Sequence, residues 1–300
     1  MSLWIPVTIA AASFQTVRFM LQKSLSTVKL TAAGATFARF AYSFPLAVLA
    51  LTIAVLLTGY SPPPLTAWFW LYAIVGGTAQ ILATICVVAL FKQRNFAVGI
   101  TFKKTEVIQT AIVGFLVLGD QISNGALLAI ILGLAAVLLL SKSPEGVGAW
   151  WKHLSNRASR LGLGSGVLFA FSSVGYRGAS LELGDIDAWF RALITLAFVV
   201  TFQFISMGLW LLWRDRAELI AVWQTRSTGV FVGLTSLCGS FCWFFAFTLQ
   251  NAAYVKALGQ VELIFSLLAS ILFFHETITR REIAGMTLLG VSILALVLAI

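Results

Sequence analysis

KKTEVIQTAIVGFLVLGDQI at residues 103–122 and GQVELIFSLLASILFFHETI at 259–278 are two versions of one segment, 156 residues apart. Each places a glutamate, Glu106 or Glu262, ahead of an apolar run. Each then closes on an acid, Asp120 or Glu276, with an isoleucine two residues later. The same shift pairs Phe91 with Phe247, Asn95 with Asn251, Ala97 with Ala253 and Thr110 with Ser266. One run earlier it pairs Gly77 with Gly233 and Cys86 with Cys242. Apolar coincidences carry little weight in so apolar a chain, so the asparagines and above all the glutamates carry the repeat. A second shift, of 152, lays Phe37-Ala38-Arg39 on Trp189-Phe190-Arg191, the register differing because the following connection is longer in the second half.

Working outward, 60% of the 300 residues are hydrophobic and only 10% are charged. Soluble domains carry roughly 25% charged residues, so the composition belongs to the membrane class. A spanning helix needs about 20 mostly apolar residues. Ten stretches qualify: 4–21, 35–57, 67–91, 96–118, 124–140, 161–178, 188–212, 228–249, 252–274 and 282–299. The first has no basic region before it and no small-residue cleavage site after it, and reads as a retained helix. Most gaps are short turns, such as Ser61-Pro62-Pro63-Pro64 and Gly184-Asp185. The longest, 141–160, reads as a cytoplasmic linker between units at 1–140 and 161–300. Its Trp150-Trp151 pair suits either an amphipathic segment at the headgroups or a plain surface loop.

The net charge of +9 does not point to nucleic acid, because the cations sit between apolar runs. Every gap lysine and arginine follows an odd-numbered run: Lys23 and Lys29, then Lys92 and Arg94. Lys142, Lys152, Arg157 and Arg160 come next, then Arg214, Arg216 and Arg226, and last Arg280 and Arg281. The positive-inside rule places these gaps in the cytoplasm and both termini outside, with a bacterial inner membrane as the expected location. Five runs per unit is an odd number, so the second unit enters the membrane from the opposite side. The expected fold is therefore all-α, with ten transmembrane helices as two inverted five-helix repeats. That arrangement puts a site at the midplane between the repeats and permits alternating access.

Together these features resemble the drug/metabolite transporter superfamily, in its EamA-type branch of ten-helix carriers. The resemblance rests on the two five-helix units and on the aromatic-Arg motifs at Phe37 to Arg39 and Trp189 to Arg191. It rests also on segments Leu90 to Ile122 and Ala246 to Ile278. In those segments an Asn-Phe-Ala or Asn-Ala-Ala turn leads into a helix ending Leu-Gly-Asp-Gln-Ile-Ser or Phe-His-Glu-Thr-Ile-Thr. The family's Gly-Glu ending is altered by Asp120 in the first half and His275 in the second. Many such carriers carry basic residues in the loop after helix 2, whereas Thr58 to Thr66 has none. The resemblance implies a secondary carrier, often an exporter of amino acids, other metabolites or drugs.

Ionisable groups deep in a membrane helix cost about 2.5–3.5 kcal/mol each on insertion scales and mark function by default. Glu106 lies about 15 Å into its run at 1.5 Å per residue, and Glu262 matches it. Lys103, Glu106, Thr110 and Gly114 share one face by spacing; Gly259, Glu262, Ser266 and Ser270 share the equivalent one. Two such stripes suit opposite walls of one aqueous cavity, although Lys103 and Glu106 can also simply neutralise each other in a packed bundle. Lys104, Gln260 at the equivalent position, and Lys256 lie in the same runs. Lys256 can serve substrate or snorkel to the interface. Three lysines against two glutamates slightly favour an anionic or zwitterionic substrate. Lys103 stands one turn from Glu106, while Gly259 holds the matching place below Glu262. Glu262 is therefore the expected proton site, with protons as the coupling ion.

Arg39 and Arg191 can line the cavity mouth or cap a neighbouring helix end, the second being favoured. Arg18 can snorkel to the cytoplasmic side. In the Phe241, Trp243, Phe244, Phe245 run, packing is the simpler role and substrate stacking by Trp243 the sharper one. Gln80 is a further hydrogen-bonding candidate. Gly162-x-Gly164-x-Gly166 follows no strand and reads as close helix packing. Cys86, Cys238 and Cys242 read as packing thiols, without metal-ligand spacing. No metal or cofactor is expected, and the absence of a Walker sequence argues against direct ATP drive.

The leading reading is a secondary transporter of a small polar organic metabolite such as an amino acid, an exporter or exchanger rather than an enzyme. A multidrug carrier binding organic cations at Glu106 and Glu262 is the rival. A membrane enzyme or a non-transporting sensor fits less well, because His153 and His275 stand alone and neither role needs matched buried glutamates. Oligomeric state and substrate identity are left open by the sequence.

Overall fold

The computed structural model describes residues 2–28, 30–60, 63–90, 103–140, 157–265 and 280–299, with the backbone alone at 27, 28, 140 and 282. These residues form helices joined by short turns. They are α1 (Trp4–Val28), α2 (Ala32–Thr58), α3 (Ala67–Leu90), α4 (Glu106–Leu118), α5 (Asn124–Leu140), α6 (Arg157–Leu181) and α7 (Ala188–Arg214). Then follow α8 (Arg216–Gln224), α9 (Arg226–Leu249), α10 (Ala252–Leu258), a 3-10 turn (Gly259–Val261) and α11 (Arg280–Leu298).

Four of these, α2, α3, α7 and α9, are long and apolar enough to cross a bilayer, and α4, α5 and α11 are shorter apolar helices. The distribution of side chains is that of a membrane protein. Leu57 and Trp213 are 81% and 83% exposed on the outer surface, while Arg18 and Glu106 are 5% and 3% exposed inside. Only an apolar surrounding makes that arrangement favourable.

Local chemistry sets the ends of several helices. Thr31 caps α2 by accepting from the Gly34 amide, and Asn251 caps α10 by accepting from the Ala253 amide at 2.9 Å. Gly59 and Gly119, both at φ 68°, end α2 and α4 in the left-handed conformation. Lipid tails give no hydrophobic drive between helices, so small residues let backbones approach. On α6, a methyl group at Gly175 would stand 2.9 Å from the Tyr72 carbonyl and 3.0 Å from the Gly76 Cα of α3. Gly229 and Gly233 of α9 likewise receive Tyr42 of α2, whose hydroxyl donates to the Val222 carbonyl at 2.9 Å. In the glycine triplet, Gly166 abuts the start of α4, with the Lys103 carbonyl 3.2 Å from where its Cβ would be. Gly164 faces open space.

Several boundaries differ from the sequence expectation. Helix α1 runs on to Val28, and α6 begins at Arg157, so Arg157 and Arg160 belong to that helix and not to the linker. The rest of the linker, with Lys142, Lys152, Trp150, Trp151 and His153, lies outside the described residues, as do Lys29, Lys92, Arg94, Asn95, His275 and Glu276. Helix α8 was not expected. It forms because Asp215 caps it by accepting from the Glu218 amide, and Glu218 then accepts from the Thr31 amide and hydroxyl at 2.7 and 2.8 Å. The fourth and ninth runs are not continuous helices. A turn at Lys104-Thr105 precedes Glu106, and the 3-10 turn precedes Glu262. Under the shift of 156 these two irregularities coincide, and such breaks inside a helix often mark functional positions.

Candidate functional site

Helices α1, α2, α3, α6, α9 and α10 line a pocket whose empty space, counted with the solvent at its mouth, is about 350 Å³. Its polar wall comes from Gln15 and Arg18 on α1, Arg39 on α2, Gln80 on α3, Tyr176 on α6 and Lys256 on α10. Ser172, Ser173 and Ser240 add hydroxyls. Phe169, Trp243, Phe244 and Phe247 form the apolar wall.

Arg39 is buried, and each of its three side-chain nitrogens donates to a hydroxyl. Its Nε donates to Ser236 at 2.7 Å, and its terminal nitrogens donate to Ser240 at 3.0 Å and Thr84 at 3.4 Å. This corrects the capping expectation: three hydroxyls, not helix-end carbonyls, solvate the guanidinium. Arg191, its counterpart in the repeat, does not line the cavity, and its buried Nε has no hydrogen-bond partner among the described residues. Gln80 accepts from Gln203 Nε2 at 2.9 Å. Trp243 stacks on Phe247 with centroids 5.6 Å apart, and its indole N–H has no acceptor among the described residues.

Beside the cavity the lysines and glutamates pair across the two halves of the chain. Lys104 binds the Glu262 carboxylate, which also accepts from Gln15 Nε2 at 2.7 Å. Lys256 reaches Glu106 Oε1 at 4.0 Å, and Lys103 reaches the same oxygen at 3.6 Å. Each carboxylate thus meets a cation from the other half. Lys256 does not snorkel: it is buried, lines the cavity, and lies 5.0 Å from the Trp243 ring centroid and 5.3 Å from that of Phe169. Gln260 is buried but outside the cavity wall, donating to the Lys256 carbonyl at 3.3 Å. Thr110 turns to its own helix and donates to the Glu106 carbonyl, while Ser266 and Ser270 lie outside the described residues. The reason for choosing Glu262 as the proton site was that it lacked a lysine. Lys104 supplies one from the other half, so that reason falls.

Sequence reading missed Gln15 and the α6 hydroxyls and misplaced Arg18. Arg18 does not snorkel but sits buried at the cavity. Gln15, Arg18 and Gln22 recur at spacings of three and four on α1, a polar stripe that marks an inward face.

Several contacts between helices gather at one end of the bundle. One residue beyond Tyr176, Arg177 donates to Asp120 at 3.1 and 3.3 Å and to the Phe247 and Gln250 carbonyls, each at 2.8 Å. Thr66 donates to Glu182 at 2.8 Å, and Tyr60 to Asp187 at 3.0 Å. That hydrogen bond, with the negative charge behind it, raises the Tyr60 phenol above its ordinary pKa of 10.0. The opposite end carries Arg214, Arg216, Arg226, Arg280 and Arg281.

An apolar exterior around a buried, charged cavity marks an integral membrane protein. The profile of the EamA-like transporter family matches residues 157–298. The second half of the chain is thus an EamA-like transporter family domain, consistent with the drug/metabolite transporter superfamily. A solved crystal structure superimposes with a TM-score of 0.70, covering 98% of this chain and 96% of its own at 13% identity, which establishes a similar fold. No curated protein matches the sequence. EamA proteins are membrane transporters, which supports a general transporter role for this one.

Proposed function

We propose that the protein is a secondary active transporter of a small polar organic metabolite such as an amino acid, an exporter or exchanger working by alternating access. One observation carries this reading: the crossed pairing of Lys104 with Glu262 and of Lys256 with Glu106 beside a polar cavity. Buried charges are expensive, and packed apolar residues would hold the halves together as well or better. Ion pairs between halves are useful where the halves must separate and rejoin, as rocking repeats do.

In this reading ten spans form two inverted five-helix repeats, residues 1–140 and 161–300, joined by a cytoplasmic linker. The coincident breaks before Glu106 and Glu262 support it, since carriers of this type place broken helices at the site. The basic end faces the cytoplasm, both termini lie outside, and the bacterial inner membrane is the location. Protons are the proposed coupling ion. No catalytic role is assigned to any residue. The cation surplus around the cavity counts against the organic-cation rival.

Proteoliposome counterflow across amino acids, organic acids, sugars, nucleosides and cationic dyes tests the function; accumulation of at least one polar metabolite is the expected result. A protein that moves none of them, while correctly inserted, refutes the reading. A periplasm-active reporter fused after Ile300 should give signal, and signal from a cytoplasmic reporter alone would reverse the orientation.

A further inference from the structure

Charges around the cavity do not balance. Arg18, Arg39, Lys103, Lys104 and Lys256 are all buried, and the only buried carboxylates among the described residues that face them are Glu106 and Glu262. Lys104 is matched by Glu262, and Glu106 is shared by Lys103 and Lys256. Arg39 is dispersed over three hydroxyls. Arg18 lies over the Phe19 ring, 4.6 Å from its centroid, and forms no ion pair or hydrogen bond among the described residues. It is 5% exposed, its Nε–H is buried without an acceptor, and its side chain lines the cavity. Trp243, on the cavity's apolar wall, offers a second buried N–H without an acceptor among the described residues.

A guanidinium has five N–H donors and no acceptor, and an indole N–H only donates. Two such donors on one cavity call for an acceptor-only partner. Neither Glu106 nor Glu262 lines the wall, and each is already engaged by lysines, so a solute's ammonium group would find no free carboxylate among the lining residues. We infer that the cavity is built for a small organic oxyanion, a carboxylate or phosphate without a compensating ammonium. The anionic group binds Arg18 and the Trp243 N–H. An apolar portion of the solute lies on Trp243, Phe169 and Phe247. This rests on the transporter reading and narrows it, because zwitterionic amino acids fit less well than the corresponding acids.

The test uses three probes with one skeleton: phenyllactate as anion, phenylalanine as zwitterion and phenethylamine as cation. Phenyl phosphate distinguishes phosphate from carboxylate. Thermal stabilisation of the purified full-length protein reports binding, since a ligand of the folded state raises Tm with concentration. One of the two oxyanions should stabilise it, and phenylalanine should bind about tenfold more weakly or worse. Arg18→Gln should weaken oxyanion binding about tenfold or more, and Arg18→Lys should recover part of the loss, because it restores charge without the fork. Trp243→Phe, which keeps the stacking and removes the donor, should lose a few-fold.

Equal or tighter binding of phenylalanine overturns the inference, as does wild-type oxyanion affinity in a folded Arg18→Gln. So does the absence of stabilisation by either oxyanion at about 10 mM, where even millimolar affinity registers. Counterflow with the same probes separates the two readings. Transport of phenylalanine or phenethylamine without transport of oxyanions sinks the anion inference and leaves the transporter. Oxyanion binding that depends on Arg18, with no flux of any probe or metabolite, does the reverse.

Discussion

The carboxylate of Glu262 accepts from Gln15 at 2.7 Å and from Lys104, whereas that of Glu106 is approached by two ammoniums at 3.6 and 4.0 Å. Both approach Oε1, and Glu106 Oε2 has no hydrogen-bond partner among the described residues. The two glutamates occupy matched places in the sequence, each just after a break in its helix, but they are held differently. Glu262 is a crosslink, joined to α1 and to the turn before α4. Glu106 is held by charge at looser range, with two interchangeable partners. Equivalent positions in a repeat therefore need not do equivalent work, and the lysines around them decide which work each does.

The largest expected effect breaks the tighter side. Lys104→Met takes the ammonium from a buried ion pair, and breaking such a pair typically costs about 3–5 kcal/mol. Unfolding in detergent should show a loss of that size, with Glu262→Leu in the same chain recovering most of it. Additive losses in the double variant would mean that the two side chains are not coupled. On the looser side, Lys103→Met or Lys256→Met alone should cost at most about 2 kcal/mol, because the second ammonium remains. Together they should cost more than the sum. A single variant as damaging as Lys104→Met would erase the distinction between the two carboxylates.

Transport gives a different readout of the same contrast. If Glu262 is a crosslink, Glu262→Gln should slow uphill transport and gradient-free exchange in similar proportion, by roughly tenfold for each 1.4 kcal/mol lost from the pairing. Selective loss of uphill transport with exchange intact would instead restore Glu262 as the proton site.

Much of this was legible in the sequence, for reasons that particular residues make plain. Glu106, Glu262 and the three lysines stand out because a charge in an apolar run is costly wherever it points. Asn251 announced its helix because a cap is a local hydrogen bond. The pairing of Lys104 with Glu262 was not legible, since it depends on how the two halves pack and not on spacing within either. Arg39 and Arg191 match as motifs, yet only Arg39 meets Ser236 and Ser240 on α9. The turn at Lys104-Thr105 contains neither glycine nor proline, so no breaker signalled it. Arg18 was legible but was assigned to the interface, because its stripe with Gln15 and Gln22 was not followed around the helix.

The smallest expected effect is the most direct comparison of the two carboxylates, because it removes a neutral group and leaves every charge in place. Gln15 lies on α1, and its amide nitrogen donates to Glu262 Oε2. A hydrogen bond to a charged group is worth about 1.5–3 kcal/mol, and the polar cavity on which Gln15 opens offers partial replacement by water. Gln15→Leu should therefore destabilise the protein by about 1–2 kcal/mol. In a double-mutant cycle with Glu262→Gln it should show a coupling of about 1 kcal/mol. In a cycle with Glu106→Gln it should show almost none, since Gln15 donates to Glu262 and Glu106 Oε2 has no donor to lose. Equal coupling to both glutamates would mean that the difference in their surroundings has no energetic weight. Strong coupling to Glu262 alone would locate that difference in a single amide on α1.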